Sequence, residues 1–136
     1  MTKVNNQETL LRFIEEVDGL HDALLHEAVL LHPGYVDDQG RMFGDGELPS
    51  AQMFFQSQFV DIAVVEVSLK GISRFRLDPH YELRLEAEFD AGQIVLYLCG
   101  KRYSSQCEIR CKELEYRLLG KNSLGSQYIF ARGERP

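Results

Sequence analysis

After Gly19 the chain never returns to a helical period. From Leu24 to Leu118 its apolar residues fall mostly at period two, and Pro and Gly punctuate the run. Parallel strands need a crossover, usually a helix, and none is on offer, so neighbouring strands are expected to pair antiparallel. The one helical segment comes first, at about residues 5–18. There Leu10, Phe13, Ile14 and Val17 fall at i, i+3, i+4 and i+7 and make a single apolar stripe. Asn5 is placed to cap it, with Glu8 three residues on closing a capping box, and Gly19 is placed to stop it. The expected fold is α+β: an N-terminal helix packed on a curved, mainly antiparallel sheet of about six strands in a meander. A sheet with one wet face needs such a cover on the other.

The 136 residues suffice for one domain with one core. Its β-rich body is expected at about 22–119, followed by a poorly patterned tail at about 120–136, where Tyr128-Ile129-Phe130 offers a segment to dock. Leu24 to Leu31 reads as a strand ended by His32-Pro33-Gly34. Residues 36–50, VDDQGRMFGDGELPS, carry four acids, three glycines and a proline, the composition of a long surface loop or an extended hairpin turn. Met53, Phe55 and Phe59 alternate with Gln52, Gln56 and Gln58, and Val65, Val67 and Leu69 follow in phase. Lys70-Gly71 suits a bulge, and Asp78-Pro79-His80 a turn. Leu83, Leu85, Ala87 and Phe89 against Arg84, Glu86 and Glu88 is the cleanest period-two run. Asp90-Ala91-Gly92 then turns into a return strand from Ile94 to Cys99. Cys107, Ile109 and Cys111 open the last strand. A bulge near Lys112-Glu113 accounts for the shift of phase to Leu114, Tyr116 and Leu118.

Net charge is −6 and the isoelectric point about 5.2. Phosphate backbones need a concentrated basic surface, so nucleic acid is not the expected partner; a basic protein is better matched. No apolar run approaches the ~20 residues that cross a bilayer, and residues 1–13 lack the pattern of a secretory signal, so no membrane is expected and the cytoplasm is the expected location. Three cysteines fit a reducing compartment.

Several residue groups invite chemistry. Gly19-Leu20-His21-Asp22-Ala23-Leu24-Leu25-His26 holds two histidines and an acid. On a strand Asp22 and His26 are about 13 Å apart, too far for one metal, at ~3.3 Å per residue. The adjacent His21-Asp22 resembles the dipeptide of metal-dependent phosphohydrolases, but those are all-helical and take further ligands from other helices. A hydrogen-bonding turn between helix and strand fits better, with a pocket role as the alternative. Cys99, Cys107 and Cys111, spaced C-x7-C-x3-C, lack the close pair of a structural zinc site and read as small core residues. Cys99 can face Cys107 across strands, but the expected cytosolic setting argues against a bond between them. Asp37, Asp38, Asp45 and Glu47 lack the order of a helix-loop-helix calcium site and instead offer a solvated, mobile contact loop. Arg74, Arg76 and Arg84 are expected to pair across strands with Glu82, Glu86 and Glu88. There is no G-x-S-x-G, no phosphate-binding G-x-x-x-x-G-K-[ST] and no dinucleotide fingerprint. No metal, cofactor or catalytic residue is therefore expected, and the reading leans away from an enzyme.

The order of features resembles a loose group of small β-rich bacterial proteins of mostly unknown function, some of them immunity proteins of contact-dependent or polymorphic toxin systems. The resemblance spans about residues 8 to 118. It rests on the short helix leading into Leu20-His21-Asp22, on the strand VVEVSLKGISRFRL with Lys70-Gly71-Ile72 at its kink, and on a hairpin and final strand. The 37–47 loop departs from the group. The resemblance implies a stoichiometric binder without catalytic residues. The expected function is non-catalytic protein binding, an immunity-type inhibitor being its most concrete form. Candidate contacts are His21, Asp22, Asp37, Asp38, Asp45, Glu47, Glu82, Glu86 and Glu88. Alternatives are a pocket for a small molecule or an undetected activity, near His21 and Asp22, and a self-associating homo-oligomer. An exposed Phe54 or an unpaired edge strand would favour the last.

Overall fold

The computed structural model describes residues 1–58, 64–78 and 82–120. The elements are β1 (Thr2–Val4), α1 (Gln7–Glu16), a 3₁₀ turn (Asp18–Leu20), β2 (Ala23–Leu31), β3 (Tyr35–Val36), β4 (Met42–Phe43), β5 (Ser50–Ser57) and β6 (Val64–Lys70). They continue with β7 (Arg74–Arg76), β8 (Glu86–Asp90), β9 (Gln93–Tyr97), a 3₁₀ turn (Lys101–Tyr103), β10 (Glu108–Cys111) and β11 (Glu113–Leu119). The expected α+β class holds. The single meander does not: the strands form a five-stranded sheet, β1-β11-β6-β5-β2, a four-stranded sheet, β7-β10-β9-β8, and a β3-β4 ribbon, with antiparallel pairing throughout the named strands. The expected tail at 121–136, Phe59, and Pro79 and His80 of the expected turn lie outside the described residues.

Two places turn one sheet into two. Gly71 carries the chain from β6 to β7 and Lys112 carries it back from β10 to β11, with the Lys112 N–H bonded to the Lys70 carbonyl at 3.0 Å. Gly71 has φ +67°, and a Cβ there would meet Lys112 side-chain carbons at 3.0 Å. Only glycine meets both demands. The expected bulges at Lys70-Gly71 and Lys112-Glu113 are thus a paired crossing between sheets. A crossing shifts the phase of burial as a bulge does, which is why sequence did not separate them.

The helix begins one residue later than expected. Asn6 caps it, accepting from the Thr9 N–H at 2.8 Å, and Thr9 Oγ1 accepts the Asn6 N–H in return at 3.0 Å, so Thr9 and not Glu8 closes the box. Leu10, Phe13 and Val17 are buried as the stripe predicts. Across the five-stranded sheet the inward residues stand in rows: Ala51, Leu69, Leu114 and Val4, then Met53, Val67 and Tyr116, then Phe55, Val65 and Leu118. They meet Ile94, Leu96, Leu98 and Ile109 in one core. The Phe13 ring lies 4.6 Å from that of Tyr116. The centre closes around a gap of only about 10 Å³ lined by residues from helix and both sheets, so the core is filled there.

The cleanest sequence pattern overstates its strand. Leu85 is buried and Leu83 half-buried as predicted, but the strand is only Glu86–Asp90. The Arg84 N–H bonds the Leu98 carbonyl at 2.7 Å and the Leu85 N–H bonds the Gly19 carbonyl at 2.8 Å. Their donors leave the ladder to tie the helix exit to the body.

Candidate functional site

Two regions present themselves. The first is the corner at Gly19-Leu20-His21-Asp22. Beyond the helix the backbone adopts positive φ at Asp18 (51°), Gly19 (59°), Leu20 (57°) and Asp22 (57°). Left-handed geometry costs an L-residue about 1–2 kcal/mol. The burial of Leu20 at 1 % exposure and the Leu85 bond to Gly19 hold it there. The stretch is the joint expected from sequence, made by backbone conformation more than by a side-chain cap. His21 Nε2 lies 3.3 Å from Asp22 Oδ2, and both side chains stand out in solvent, 70 % and 56 % exposed.

This corner forms one wall of a broad cleft of about 960 Å³. The segment leading into β8, with Glu82, Arg84 and Glu86, and the turn from Cys99 to Tyr103 supply the others. The structure therefore brings His21, Glu82 and Glu86 together. The cleft mixes acids with Arg84 and Arg102 and shows no convergence on one sign. Glu86 Oε1 accepts the Lys101 N–H at 3.1 Å. Glu88 is engaged elsewhere: it accepts the Tyr97 hydroxyl at 2.5 Å and Lys101 Nζ at 3.2 Å. Those bonds, the phenol's first, hold the Glu88 carboxyl below its ordinary range. Burial, then Glu88, pushes the Tyr97 phenol up to about 12.

The expected arginine partners are corrected. Arg74 pairs with Glu108 at 2.7 Å, outside the predicted acids. Arg110 bridges Glu108 at 3.2 Å and Asp90 at 2.9 Å. Glu108 was missed because it looks like one more polar residue between Cys107 and Ile109; only the β7–β10 register sets it beside arginines. Glu66 was missed likewise. It is 5 % exposed, accepts Gln52 Nε2 at 2.7 Å and takes Arg117 Nε and Nη2 at 3.0 and 2.5 Å. Its opposite residue on β5, Phe54, is half-buried rather than exposed. Among the described residues no cluster of three or more His, Cys, Asp or Glu could hold a metal, and no helix is long and apolar enough to cross a membrane.

The second region is an arm. β2 pairs with β5, the register slipping at His26, and the hairpin runs on into the β3-β4 ribbon. The 37–47 segment is thus built and not a loose loop. Asp37 Oδ1 accepts the Gln39 and Arg41 N–H groups at 2.9 and 2.8 Å, and Oδ2 takes Arg41 Nε at 2.8 Å. These bonds, the Arg41 N–H first, draw the Asp37 carboxyl below its ordinary value. The Tyr35 and Phe43 rings stack 5.2 Å apart. Asp38 in the turn of the ribbon, and Asp45 and Glu47 between β4 and β5, are exposed.

The cover of the core stops one strand short of this arm. Met53 and Ala51 on β5 are buried, but their β2 neighbours Ala28 and Leu30 are exposed. Leu30, Leu31, Tyr35, Val36, Met42 and Phe43 each leave 41–63 % of their surface open. Sequence reasoning missed this row. Its signal is the unbroken Ala28-Val29-Leu30-Leu31, apolar on both faces of a strand beside a loop rich in acids.

Comparison with protein-family models, with curated proteins and with solved structures finds no match.

Proposed function

We propose that this chain is a non-catalytic protein-binding domain whose binding element is the β2–β5 arm. The exposed apolar row from Leu30 to Phe43 carries this reading. Exposed apolar side chains clustered along one element are a common mark of an interaction site. Among the described residues β2 is also the last strand of its sheet, a position where a partner strand can add. Asp38, Asp45 and Glu47 rim the row, which suits a partner that is apolar at its centre and basic at its margin. An immunity-type inhibitor, covering a basic toxin surface in a one-to-one complex, is the concrete form. His21, Glu82 and Glu86 are then a secondary surface on the far side of the function.

The test is affinity for a captured partner, measured with the native chain and two variants. Tyr35→Ser with Met42→Ser should weaken binding by more than tenfold. Asp38→Lys with Asp45→Lys should weaken it at low salt and much less at high salt. Equal affinity for all three chains would overturn the reading. The end position of β2 among the described strands favours a second reading, self-association. Sedimentation at rising concentration separates the two: a monomer throughout removes the second, and a dimer lost in the Tyr35 and Met42 variant puts it first.

A further inference from the structure

We propose that Cys99 and Cys107 are a dithiol pair that closes to an intramolecular disulfide when the cleft admits a small disulfide oxidant such as glutathione disulfide. The two residues flank the turn that carries Lys101–Tyr103, one just after β9 and the other just before β10. Their sulfurs lie 2.6 Å apart, close enough to bond with only a small shift. Cys107 Sγ also lies 3.6 Å from the Asp78 carbonyl oxygen. The pair also differs in access. Cys99 lines the cleft and is 5 % exposed, whereas Cys107 is fully buried. Cys111 is buried too, does not line this cleft, and is a spectator.

These positions assign an order to the exchange. The Cys99 thiolate attacks one sulfur of the oxidant and forms a mixed disulfide, expelling one glutathione as its thiolate, which takes up the proton Cys99 lost. The Cys107 sulfur then attacks the Cys99 sulfur, loses its own proton and expels the second glutathione. Two protein thiols are oxidised by two electrons and one glutathione disulfide is reduced to two thiols. Burial pushes the Cys99 thiol up to about 12, so the first attack is slow at neutral pH and quickens as pH rises. The closed form staples the turn that supplies a cleft wall and holds Glu86 through the Lys101 N–H.

The experiment incubates the native chain with glutathione disulfide at pH 7 and pH 9 and counts free thiols, with mass spectrometry of the intact chain and its peptides. The expected result is a fall from three thiols to one, a loss of two hydrogens, a Cys99–Cys107 peptide link and a faster reaction at pH 9. Cys107→Ser should stop at one stable glutathione adduct on Cys99, Cys99→Ser should gain none, and Cys111→Ser should close as the native chain does. Three free thiols at the end, a persistent adduct on the native chain, or a link to Cys111 would each overturn the proposal.

Discussion

β1 and β2 stand at the two ends of the same sheet and are built to opposite rules. β1 has three residues, carries Lys3 on its exposed side and sits against the helix that covers its inward Val4. Short length, a lysine and a cover are the usual protections of a sheet edge. β2 has nine residues, Glu27 as its one formal charge, and apolar side chains on both faces. Beyond the slip at His26 its inward Ala28 and Leu30 are exposed. The same backbone pattern is closed at one end and left open at the other. The difference teaches that burial is unevenly shared along one sheet: the helix-covered end carries the core, and the arm carries exposed apolar surface.

The comparison can be broken most sharply at the covered end. Phe13 is buried between helix and Tyr116, so Phe13→Ala should cost about 3–5 kcal/mol in denaturant unfolding. A loss below 1 kcal/mol would mean the helix is no more essential than the arm. Next is Glu66, whose carboxylate is buried between Gln52 and Arg117 near the middle of the sheet. Glu66→Ala removes charge-assisted bonds but leaves Arg117 in water, so the expected loss is about 1–3 kcal/mol. Gly71→Ala should cost about 1–2 kcal/mol for its left-handed backbone, more if the Lys112 side chain fails to yield. An unchanged midpoint there would remove the sheet crossing from the account.

What sequence could foresee follows the same division. The helix stripe and the inward rows were legible because burial repeats with local period, and the hairpin turn at Ala91-Gly92, both with positive φ, was legible from its residues. Pairing was not. Leu83 and Leu85 keep the alternation of a strand while their neighbourhood spends its N–H groups on Leu98 and Gly19. Lys112 changes the phase in the way a bulge would, and only the partner strands show that it changes sheets. Of the candidate site, the acids at Asp38, Asp45 and Glu47 were legible as exposed. The apolar row beside them was not, because Val29, Leu30 and Leu31 read as core residues and exposure depends on where a distant cover ends. The nearness of Cys99 and Cys107 was legible as one possibility, but the two flank a turn and do not face each other across strands.

At the open end the effects on stability should be small. Leu31→Ser and Met42→Ser remove side chains already 61 % and 63 % exposed, so each should change unfolding by no more than about 0.5 kcal/mol. Under the proposed function the same changes abolish partner capture. A large loss of stability would show that the arm is part of the fold and not an appendage of it.

The smallest effect belongs to the arm's tip and isolates it best. Asp37 has its carboxyl drawn below the ordinary 3.8, first by the Arg41 N–H, with the Arg41 side chain and the Gln39 N–H adding to it. A depressed carboxyl contributes to the folded state above its unfolded value and loses that contribution as pH falls through its folded value. The ribbon should therefore keep its turn at neutral pH and loosen only in acid, below the range where an unstructured aspartate protonates. The measurement is the pH dependence of the Gln39 and Arg41 amide shifts by NMR. Both should titrate together, and Asp37→Asn should abolish the transition while leaving the unfolding midpoint of the body in place. If the body's midpoint moved with the tip, arm and core would be one cooperative unit. The open edge would then be coupled to the helix-covered one after all.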